Sequence, residues 1–493
     1  MTSSFHSHSS AAMTGSSGAP LPARERALVG VTVLHLVFLP WAVGTMHPWS
    51  QLTSLGLALA GFFLALFPRA GDRIPGAGSP AARLLKFPLF WAGLVLLAYI
   101  VVQGVNPAWR FVSNADHWWL EPLHHVCWLP HGVDAPFSRS NPWRALVVMG
   151  SLWLLVCSVW TGLSRRRSYR ILFSALVANA FLLALLGLLQ QLTGADRIFW
   201  SYPSSSPSFI ASFIYRNHAG AYFNLMVALA VGLACWQDQR ARQRHATAGP
   251  AGLLALTAAL VGLMVVLSAS RLAIISLLFF AVLAGIGLIG QRRRQSLPAR
   301  PRAAGWLLAA GLLAFLAVGF TALPVDRVWR RFAELAAHPA LVVRDRTVAG
   351  QAAFDMLRDD WLLGWGAGCF RHAFPLYAQH YPDIYFSARH VQNYWEHAHD
   401  DLLEFPIELG LLGLLPIAFA LSWSAWRLGQ GRFWRNSVAF PLVLAGGLTL
   451  VHAGGDFVFQ NPAVLLTWGV LLVGAVRWTE LDGPDKRQSF AKP

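Results

Sequence analysis

Charged side chains are scarce in this sequence of 493 residues. Asp, Glu, Lys and Arg make up only 13% of it, whereas hydrophobic residues make up 55% and the mean hydropathy is +0.47. A soluble globular domain carries about a quarter charged residues. Here the deficit coincides with repeated apolar runs that are long enough to span a bilayer. The scarcity of charge excludes an ordinary soluble protein and predicts a polytopic helical membrane protein.

Cysteine is scarce as well, because the chain has only four, too few and too scattered for a disulfide framework. Cys157 and Cys235 lie within apolar runs, where we expect them to pack as small hydrophobic side chains. Cys127 and Cys369 lie in the two longest polar segments. The sequence leaves open whether this second pair forms a disulfide on an oxidising side of a membrane.

Lysine is nearly absent, with Lys86, Lys486 and Lys492 alone, so the formal net charge of +16 comes from arginine. The basic residues stand in short clusters between apolar runs, as in the loops that orient helices in a membrane. They do not form a basic stripe interleaved with aromatic side chains. We therefore expect contacts with membrane lipids and no nucleic-acid partner.

The apolar runs predict an all-α fold with about twelve transmembrane helices. They cover residues 28–45, 52–67, 87–105, 145–163, 171–192, 219–236, 251–267, 272–289, 303–323, 403–426, 437–452 and 464–478. The first 20 residues are rich in Ser, Ala and Gly and have no apolar core, which favours a disordered tail over a signal peptide.

These runs divide the chain into five predicted parts. They are a disordered cytoplasmic tail (1–23), helices one to nine (24–323), a large outer loop that contains helices (324–401), helices ten to twelve (402–478) and a cytoplasmic tail (479–493).

Basic clusters recur on alternate loops, which predicts the orientation of the helices. They lie at 69–86, 165–170, 240–244, 292–302 and 427–435. Because loops rich in Arg and Lys stay in the cytoplasm, these loops and both termini are predicted to be cytoplasmic. The opposite side receives the segments 106–143 and 193–218 and the large loop. Long segments of this kind are usually functional, so the active face is predicted outside the cytoplasm.

Two arginines stand at the outer ends of predicted helices. Arg216 lies at the outer mouth of the sixth helix, and Arg271 lies in the short turn between the seventh and the eighth. Each side chain could extend to lipid head groups. Alternatively both face a cavity, because an ionisable residue at membrane depth usually marks a substrate path. A guanidinium group binds two oxygens of a diphosphate in a planar fork.

The densest group of titratable residues lies where the large loop meets the tenth helix. Its sequence is Glu396-His-Ala-His-Asp-Asp-Leu-Leu-Glu404. Helical spacing places four of the polar residues along one stripe, with two more beside it. The stripe holds His397, Asp401, Glu404 and Glu408, and the neighbours are His399 and Asp400.

Three interpretations of this group remain open. It could be a helix cap at the membrane interface with solvated charges. It could be a metal site built on the two histidines and an aspartate, which are suitable ligand types. In the third interpretation a histidine is a general base for an acceptor hydroxyl, because imidazole ordinarily titrates near neutral pH.

Two further features flank this group. Gly364, Gly366 and Gly368 resemble a nucleotide-binding loop, but the strand before them and the helix after them are missing. We therefore predict a tight turn with close backbone approach. His452 and Asp456 interrupt the last two helices on the outer side, either as supporting groups of a cavity or as helix caps.

Several of these segments together resemble the O-antigen ligase and polymerase superfamily of bacterial membrane glycosyltransferases. They are Phe213-Ile-Tyr-Arg-Asn-His-Ala219, Ser268-Ala-Ser-Arg271, residues 346–370, His397-Ala-His-Asp-Asp-Leu-Leu-Glu404 with Glu408-Leu-Gly-Leu-Leu-Gly413, and residues 452–457. They cover roughly the second half of the chain. Tyr215 and Asp400 stand where similar sequences often have Asn.

The resemblance implies transfer of a glycan from undecaprenyl diphosphate to an acceptor hydroxyl, with inversion and without a metal or cofactor. The acceptor would be a glycan, the lipid A core or a protein. The reaction would take place at the periplasmic face of the inner membrane, so that 106–143, 193–218 and 324–401 would be periplasmic loops.

The resemblance also implies roles for individual residues. Arg216 and Arg271 would hold the diphosphate, and Arg346 would be a further phosphate or loop contact. His399 would be the general base, with His397 adjacent. The supporting groups would be Asp400, Asp401, Glu404, His452 and Asp456.

A transporter or flippase for a lipid-linked glycan is the alternative. It would use the same arginines to bind diphosphate without forming a bond. Inverted repeats of broken helices would favour it, and the two halves of the sequence show no convincing repeat.

Overall fold

The computed structural model of the chain describes residues 20–67, 79–114, 118–206, 208–243, 249–294, 326–337, 339–385 and 394–481. The helices before residue 295 are α1 (Ala23–Trp41), α2 (Pro48–Leu66), α3 (Pro80–Leu85), α4 (Pro88–Val105), α5 (Pro142–Gly162), α6 (Arg166–Leu192), α7 (Arg216–Gln243), α8 (Ala251–Leu267) and α9 (Arg271–Arg294). Those after it are α10 (Asp326–Ala337), α11 (Pro339–Asp359), α12 (Phe370–Ala373), α13 (Pro375–Ala378), α14 (Pro382–Tyr385), α15 (Asp401–Gln430), α16 (Ala439–Ala453) and α17 (Pro462–Glu480).

The predicted all-α membrane fold is confirmed. Within the described ranges, eight helices are long and apolar enough to cross a membrane, namely α2, α4, α5, α6, α7, α9, α15 and α17. The shorter apolar helices α8 and α16, together with α1, lie on three further predicted spans. The predicted ninth span, 303–323, lies outside the described residues.

Burial separates central helices from peripheral ones. In α17, 83% of the 18-residue apolar stretch is buried inside the protein, and in α7 the share is 72%. The corresponding shares are only 11% in α4 and 28% in α15. A helix that is apolar all round and buried belongs to the centre of a bundle, whereas an equally apolar but exposed face meets lipid. Helices α4 and α15 are therefore at the lipid boundary.

A small sheet, which the sequence did not predict, lies in the segment between α4 and α5. Strand β1 (Pro107–Ser113) is central, antiparallel to β2 (Trp118–Pro122) and parallel to β3 (Gly132–Asp134). Cys369 is buried against this sheet, whereas Cys127 is exposed, and both are free thiols.

An outer layer of helices, α10 to α14, covers one end of the bundle. Its apolar side chains form a second core, which includes Met356, Phe370 and Phe374 and reaches Ile407 of α15. This core is separate from the large core among the long helices. Helix α15 thus belongs to both layers, and its first turns lie between them.

Helix α15 is broken at Gly410, where φ is 61° and ψ is 179°. Glycine is nearly alone in adopting this conformation without strain. The N–H groups of Trp365 and Gly366 donate to carbonyl oxygens just before the break, at 2.8 and 2.9 Å. The carbonyl groups of 361–362 accept from N–H groups just after it, at 2.9 and 3.2 Å. The backbone groups freed by the break are therefore paired with the outer segment.

The glycine-rich turn permits this close approach, as predicted. Gly364, Gly366 and Gly368 all have positive φ, and a Cβ on Gly364 would lie 2.4 Å from the backbone nitrogen of Gly410. The side chain of Gln103 in α4 closes the junction. Its Nε2 donates to a carbonyl of α15 at 3.0 Å, and its Oε1 accepts from the turn at 3.0 Å.

We expect Gly410→Ala to destabilise the protein. The new Cβ would lie 2.4 Å from a carbonyl oxygen of the outer segment, and the backbone conformation adds about 1–3 kcal/mol of strain. Gly429→Ala in the same helix is the matched control, because nothing lies within 4 Å of the added Cβ. Thermal unfolding in detergent measures the difference, and equal unfolding midpoints for the two variants would contradict this account.

Candidate active site

The polar cluster at the start of α15 lies at a sharp turn of the chain. Asp400 is the N-cap of α15, and its side chain accepts from the N–H of Leu403 at 3.2 Å. His399 precedes it with φ of 56°, a conformation that is uncommon outside glycine. The helix-cap interpretation is thus correct for Asp400. The turn gives His397 and His399 different partners.

Two buried carboxyl side chains of α15 hold the backbone around this turn. Oε2 of Glu404 accepts from the N–H of Ala398 at 2.7 Å. Oδ2 of Asp401 accepts from the N–H of Phe459 at 2.7 Å, in the turn between α16 and α17. Each bond pairs a backbone N–H with a buried carboxyl oxygen, and leaving either group unpaired would be costly. The two side chains therefore tie α15 to the segment before it and to the turn before α17.

His397 is buried and faces Glu404. Its Nδ1 shares a hydrogen bond of 2.7 Å with Oε1 of that residue. Nη2 of Arg371 approaches its Nε2 at 3.5 Å, and because a guanidinium can only donate, this favours the tautomer with its proton on Nδ1. Burial lowers the pKa of His397 to about 3. The ring is therefore neutral at physiological pH.

Phe457, in the turn before α17, is the common neighbour of three histidines. Its ring centre lies 4.7 Å from that of His397, 4.8 Å from that of His399 and 5.0 Å from that of His218. Nε2 of His218 also bonds to the carbonyl of Phe457 at 3.0 Å. This aromatic side chain therefore sets the distance between the two histidines of the polar cluster.

Asp456 lies next to His399 and is buried. Its Oδ1 is 3.9 Å from Nδ1 of His399, and its Oδ2 is 3.8 Å from Nη2 of Arg346 and accepts from the side chain of Asn217. Burial alone would raise the pKa of Asp456, but His399, His452 and Arg346 outweigh it and hold the pKa below its usual value. The carboxylate is therefore ionised beside a histidine that is 33% exposed.

Four arginines from four helices converge on this point, and we name Arg216, Arg271, Arg331 and Arg346 the arginine group. Arg271 donates to the carbonyl of Arg331 at 3.1 Å, and Arg346 donates to the carbonyl of Gly455 at 2.8 Å. Arg216 interacts electrostatically with the other three and with Asp456. Burial and the positive charges of Arg271 and Arg346 lower the pKa of Arg331.

The charges of the arginine group are only partly balanced. Asp456 lies 3.8 Å from Arg346, and Glu334, which is largely exposed, lies 3.7 Å from Arg271. Like charges held close together cost free energy unless an anion joins them. The arrangement therefore has the composition of an anion-binding site.

The structure brings most of the predicted site residues together. Those around His399 and Asp456 are Arg216, Arg271, Arg346 and His452, and those around His397 are Glu404 and, through the N-cap turn, Asp400 and Asp401. His452 is buried at the end of α16. Arg331, Arg371 and Phe457 were missed. An arginine beside a polar segment was a visible signal for the first two, whereas nothing in the sequence singles out Phe457.

The two histidines do not converge on a common point, because His397 bonds to Glu404 and His399 faces Asp456. Within the part of the chain that the structure describes, no group of three His, Cys, Asp or Glu side chains is placed to hold a metal ion.

Comparison with known families identifies one part of the chain. Residues 252–418 match the family model described as O-antigen ligase. This part of the chain is similar to the O-antigen ligase family. The predicted resemblance to the O-antigen ligase and polymerase superfamily is thereby confirmed, and the match supports a ligase-like or polymerase-like function. Comparison with curated proteins finds no match.

The matched residues contain only part of the site. Arg271, Arg346 and His399 lie inside residues 252–418, whereas Arg216 and Asp456 lie outside them. Arg216 begins α7, and Asp456 lies in the turn between α16 and α17; the packing of these helices brings both residues to the matched part of the chain. The arginine group is therefore complete only with a residue from outside the matched part of the chain.

We expect buried His397 to make the protein less stable as the pH becomes acidic. Its ordinary pKa is 6.5 and its pKa in the folded protein is about 3. Between these values the unfolded chain binds a proton that the folded chain does not. The stabilisation by the neutral ring is complete above the higher value and is lost as the pH falls toward the lower one.

His397→Gln should therefore show a smaller loss of thermal stability than wild type between about pH 7 and about pH 4.5. His380→Gln is the matched control, because His380 is an exposed histidine of the same outer segment. It should follow the wild type, and identical pH profiles for all three proteins would contradict the assignment.

Proposed function

We propose that this protein is a membrane glycosyltransferase of the O-antigen ligase or polymerase type. It moves a glycan from undecaprenyl diphosphate to an acceptor hydroxyl. The observation that carries the proposal is the arginine group, which surrounds Asp456 and His399 at one end of the helix bundle. An anion site beside a histidine and an ionised carboxylate supplies both the groups that such a transfer needs.

The arginine group binds the diphosphate of the donor. Guanidinium groups remain charged at any physiological pH and bind phosphate oxygens in pairs. Arg216 and Arg271 each stand at the first residue of a helix, where free backbone N–H groups add to the positive potential. As the bond to the sugar breaks, negative charge grows on the leaving diphosphate, and these groups stabilise it.

His399 is the general base. Its Nδ1 has no hydrogen-bond partner among the described residues and faces Asp456 at 3.9 Å. The ionised carboxylate favours a proton on Nδ1 and leaves Nε2 to accept the proton of the acceptor hydroxyl. The acceptor oxygen then bonds to the anomeric carbon, the bond from that carbon to the diphosphate oxygen breaks, and direct displacement inverts the configuration.

His397 is a positioning residue for His399. Its nitrogens are engaged by Glu404 and Arg371, and its low pKa makes it a weak base. Its ring lies on Phe457, the same side chain that packs against His399. Asp401, Glu404 and the N-cap Asp400 hold the backbone on either side of the turn.

We also propose the orientation in the bacterial inner membrane. The arginine-rich loops and both termini are cytoplasmic, and the site faces the periplasm. The segments 106–143, 193–218 and 324–401 are then the periplasmic loops. This places the site on the same side as the aromatic-rich sheet and the outer layer of helices.

His399→Ala tests the general base. Purified protein receives the glycan on undecaprenyl diphosphate and one candidate acceptor at a time, with a chelator present. We expect wild-type protein to form product and His399→Ala to be slower by at least about a hundredfold, because a general base contributes at least that factor. His380→Ala, in the same outer segment, should keep the wild-type rate.

An undiminished rate in His399→Ala would remove the histidine from the mechanism. Donor binding without product for any acceptor would instead favour a transporter for the lipid-linked glycan.

Arg346→Ala tests the diphosphate site. Loss of one charge-assisted hydrogen bond to phosphate should raise the KM for the donor by about tenfold or more. Arg344→Ala is the matched control, because Arg344 lies two residues away in the same helix and pairs with Asp383 at 2.7 Å. Equal donor KM values for the two variants would show that Arg346 does not contact the donor.

A further inference from the structure

Two short apolar turns lie in the segments that connect the long helices on the outer side. The first apolar turn is Val126-Cys-Trp-Leu-Pro130, between β2 and β3, and the second apolar turn is Trp361-Leu-Leu-Gly364, after α11. Neither contains a charged residue. The first lies outside the residues that match the O-antigen ligase family.

Both turns expose tryptophan. Trp128 is 77% exposed and Trp361 is 55% exposed, and their neighbours Val126 and Leu362 are exposed as well. Patches of exposed apolar side chains usually mark a contact with a partner or a membrane. Tryptophan in particular is enriched where a protein meets the membrane–water interface. The two turns therefore have the composition of a surface that contacts lipid.

The first apolar turn is fixed to the end of α4. Oδ1 of Asn106, the residue after this helix, accepts from the N–H of Val126 at 2.8 Å. Its Nδ2 donates to the carbonyls of Val126 and Pro130 at 3.1 and 3.2 Å. Helix α4 has the smallest buried share of the candidate spans in the described ranges, and its last residue, Val105, is exposed. The turn therefore lies where a lipid-facing helix leaves the membrane.

The second apolar turn lies beside the last turns of α4. The carbonyl of Leu363 accepts from Oη of Tyr99 at 2.7 Å and from Nε2 of Gln103 at 3.4 Å. Tyr99 precedes the last residue of α4 by six positions, or about 9 Å along the helix axis. Interfacial segments bury their apolar face to about 5–10 Å, at the boundary of head groups and acyl chains. The position of this turn matches that depth.

The second apolar turn also contacts α15 just after its break. The N–H groups of Leu411 and Leu412 donate to the first two carbonyls of the turn, at 2.9 and 3.2 Å. Both leucines are exposed, on a helix that meets lipid. The backbone of the turn is thus paired, as backbone at membrane depth requires, while the side chains of Trp361 and Leu362 remain exposed.

A contact between histidine and aspartate joins the two turns. Nε2 of His131, which follows the first apolar turn, lies 2.7 Å from Oδ2 of Asp360, which precedes the second. Both side chains are mostly buried. An ionisable group near the bilayer is costly unless it has a partner. The two turns can therefore enter the membrane interface together without an unpartnered carboxylate between them.

We propose that the two apolar turns insert into the leaflet next to the outer layer of helices and that their partner is the lipid bilayer. Trp128 lies at the membrane surface, and Trp361 lies deeper, at the boundary of head groups and acyl chains. The second apolar turn continues into the glycine-rich turn that pairs with the break in α15. The contact with lipid therefore also fixes that junction relative to the membrane, whichever reaction the protein performs.

Spin labels measure the depth of each turn. Cys127 is an exposed thiol within the first apolar turn, and Trp361→Cys in a Cys127→Ser background places a label in the second. The labelled proteins are reconstituted into phosphatidylcholine vesicles. Power-saturation EPR then compares collisions with oxygen, which concentrates in the bilayer, and with nickel ethylenediaminediacetate, which stays in water. The residual signal of Cys127→Ser is subtracted.

We expect collisions with oxygen to exceed those with the nickel chelate at both labels, with the larger excess at residue 361. Val95→Cys, on the exposed face of α4, is the reference within the bilayer. His380→Cys, at an exposed position of the outer layer, is the reference in water. Trp361→Cys should unfold at the same temperature as Cys127→Ser, and Leu362→Cys replaces it if it does not.

Three results would overturn the proposal. Ratios at both labels equal to that of His380→Cys would place the turns in water, as expected for a surface that binds a soluble protein. A ratio like that of the bilayer at only one label would show that the turns do not enter the membrane together. A larger excess of oxygen at Cys127 than at residue 361 would contradict the depths that the contacts with α4 indicate.

Discussion

A backbone N–H or C=O group without a hydrogen-bond partner inside a membrane protein costs several kcal/mol. The break in α15 is therefore stable only because another segment supplies hydrogen-bond partners for it. At Gly410 the helix interrupts its own hydrogen bonds, and segment 361–368 replaces them. The pairing fixes the outer layer of helices onto the bundle. It also separates the first turns of α15, which carry the carboxylates of the site, from the part of the helix that meets lipid.

The positions of the charged and titratable side chains of the site depend on that junction. Glu404 and Asp401 are held at the interface of the two cores, where they bind backbone N–H groups on both sides. Their hydrogen bonds place His397 and His399 around Phe457 and leave His399 beside Asp456.

The sequence predicted the helices and the type of chemistry, and it was less informative about the neighbours of each residue. Apolar length alone indicates a transmembrane helix, because any backbone inside a bilayer must pair within its own segment. Positive charge between the helices indicates orientation. Arg331 and Arg371 were not singled out, because an arginine in a polar segment looks the same whether it faces water or a site. The small sheet was missed because its strands are short and irregular.

The amino-acid sequence by itself determined that this is an all-α membrane protein, that a glycine turn approaches another backbone closely, and that the segments resembling O-antigen ligases carry arginine and histidine. Only the tertiary structure decided which groups meet. Arg216 and Asp456 are 240 residues apart in the chain and lie in one site, because α7, which begins at Arg216, packs against α16 and α17, and Asp456 lies in the turn between those two helices. The different partners of His397 and His399 are likewise set by packing, since burial and a left-handed turn act on two residues that helical spacing alone would treat as equivalent.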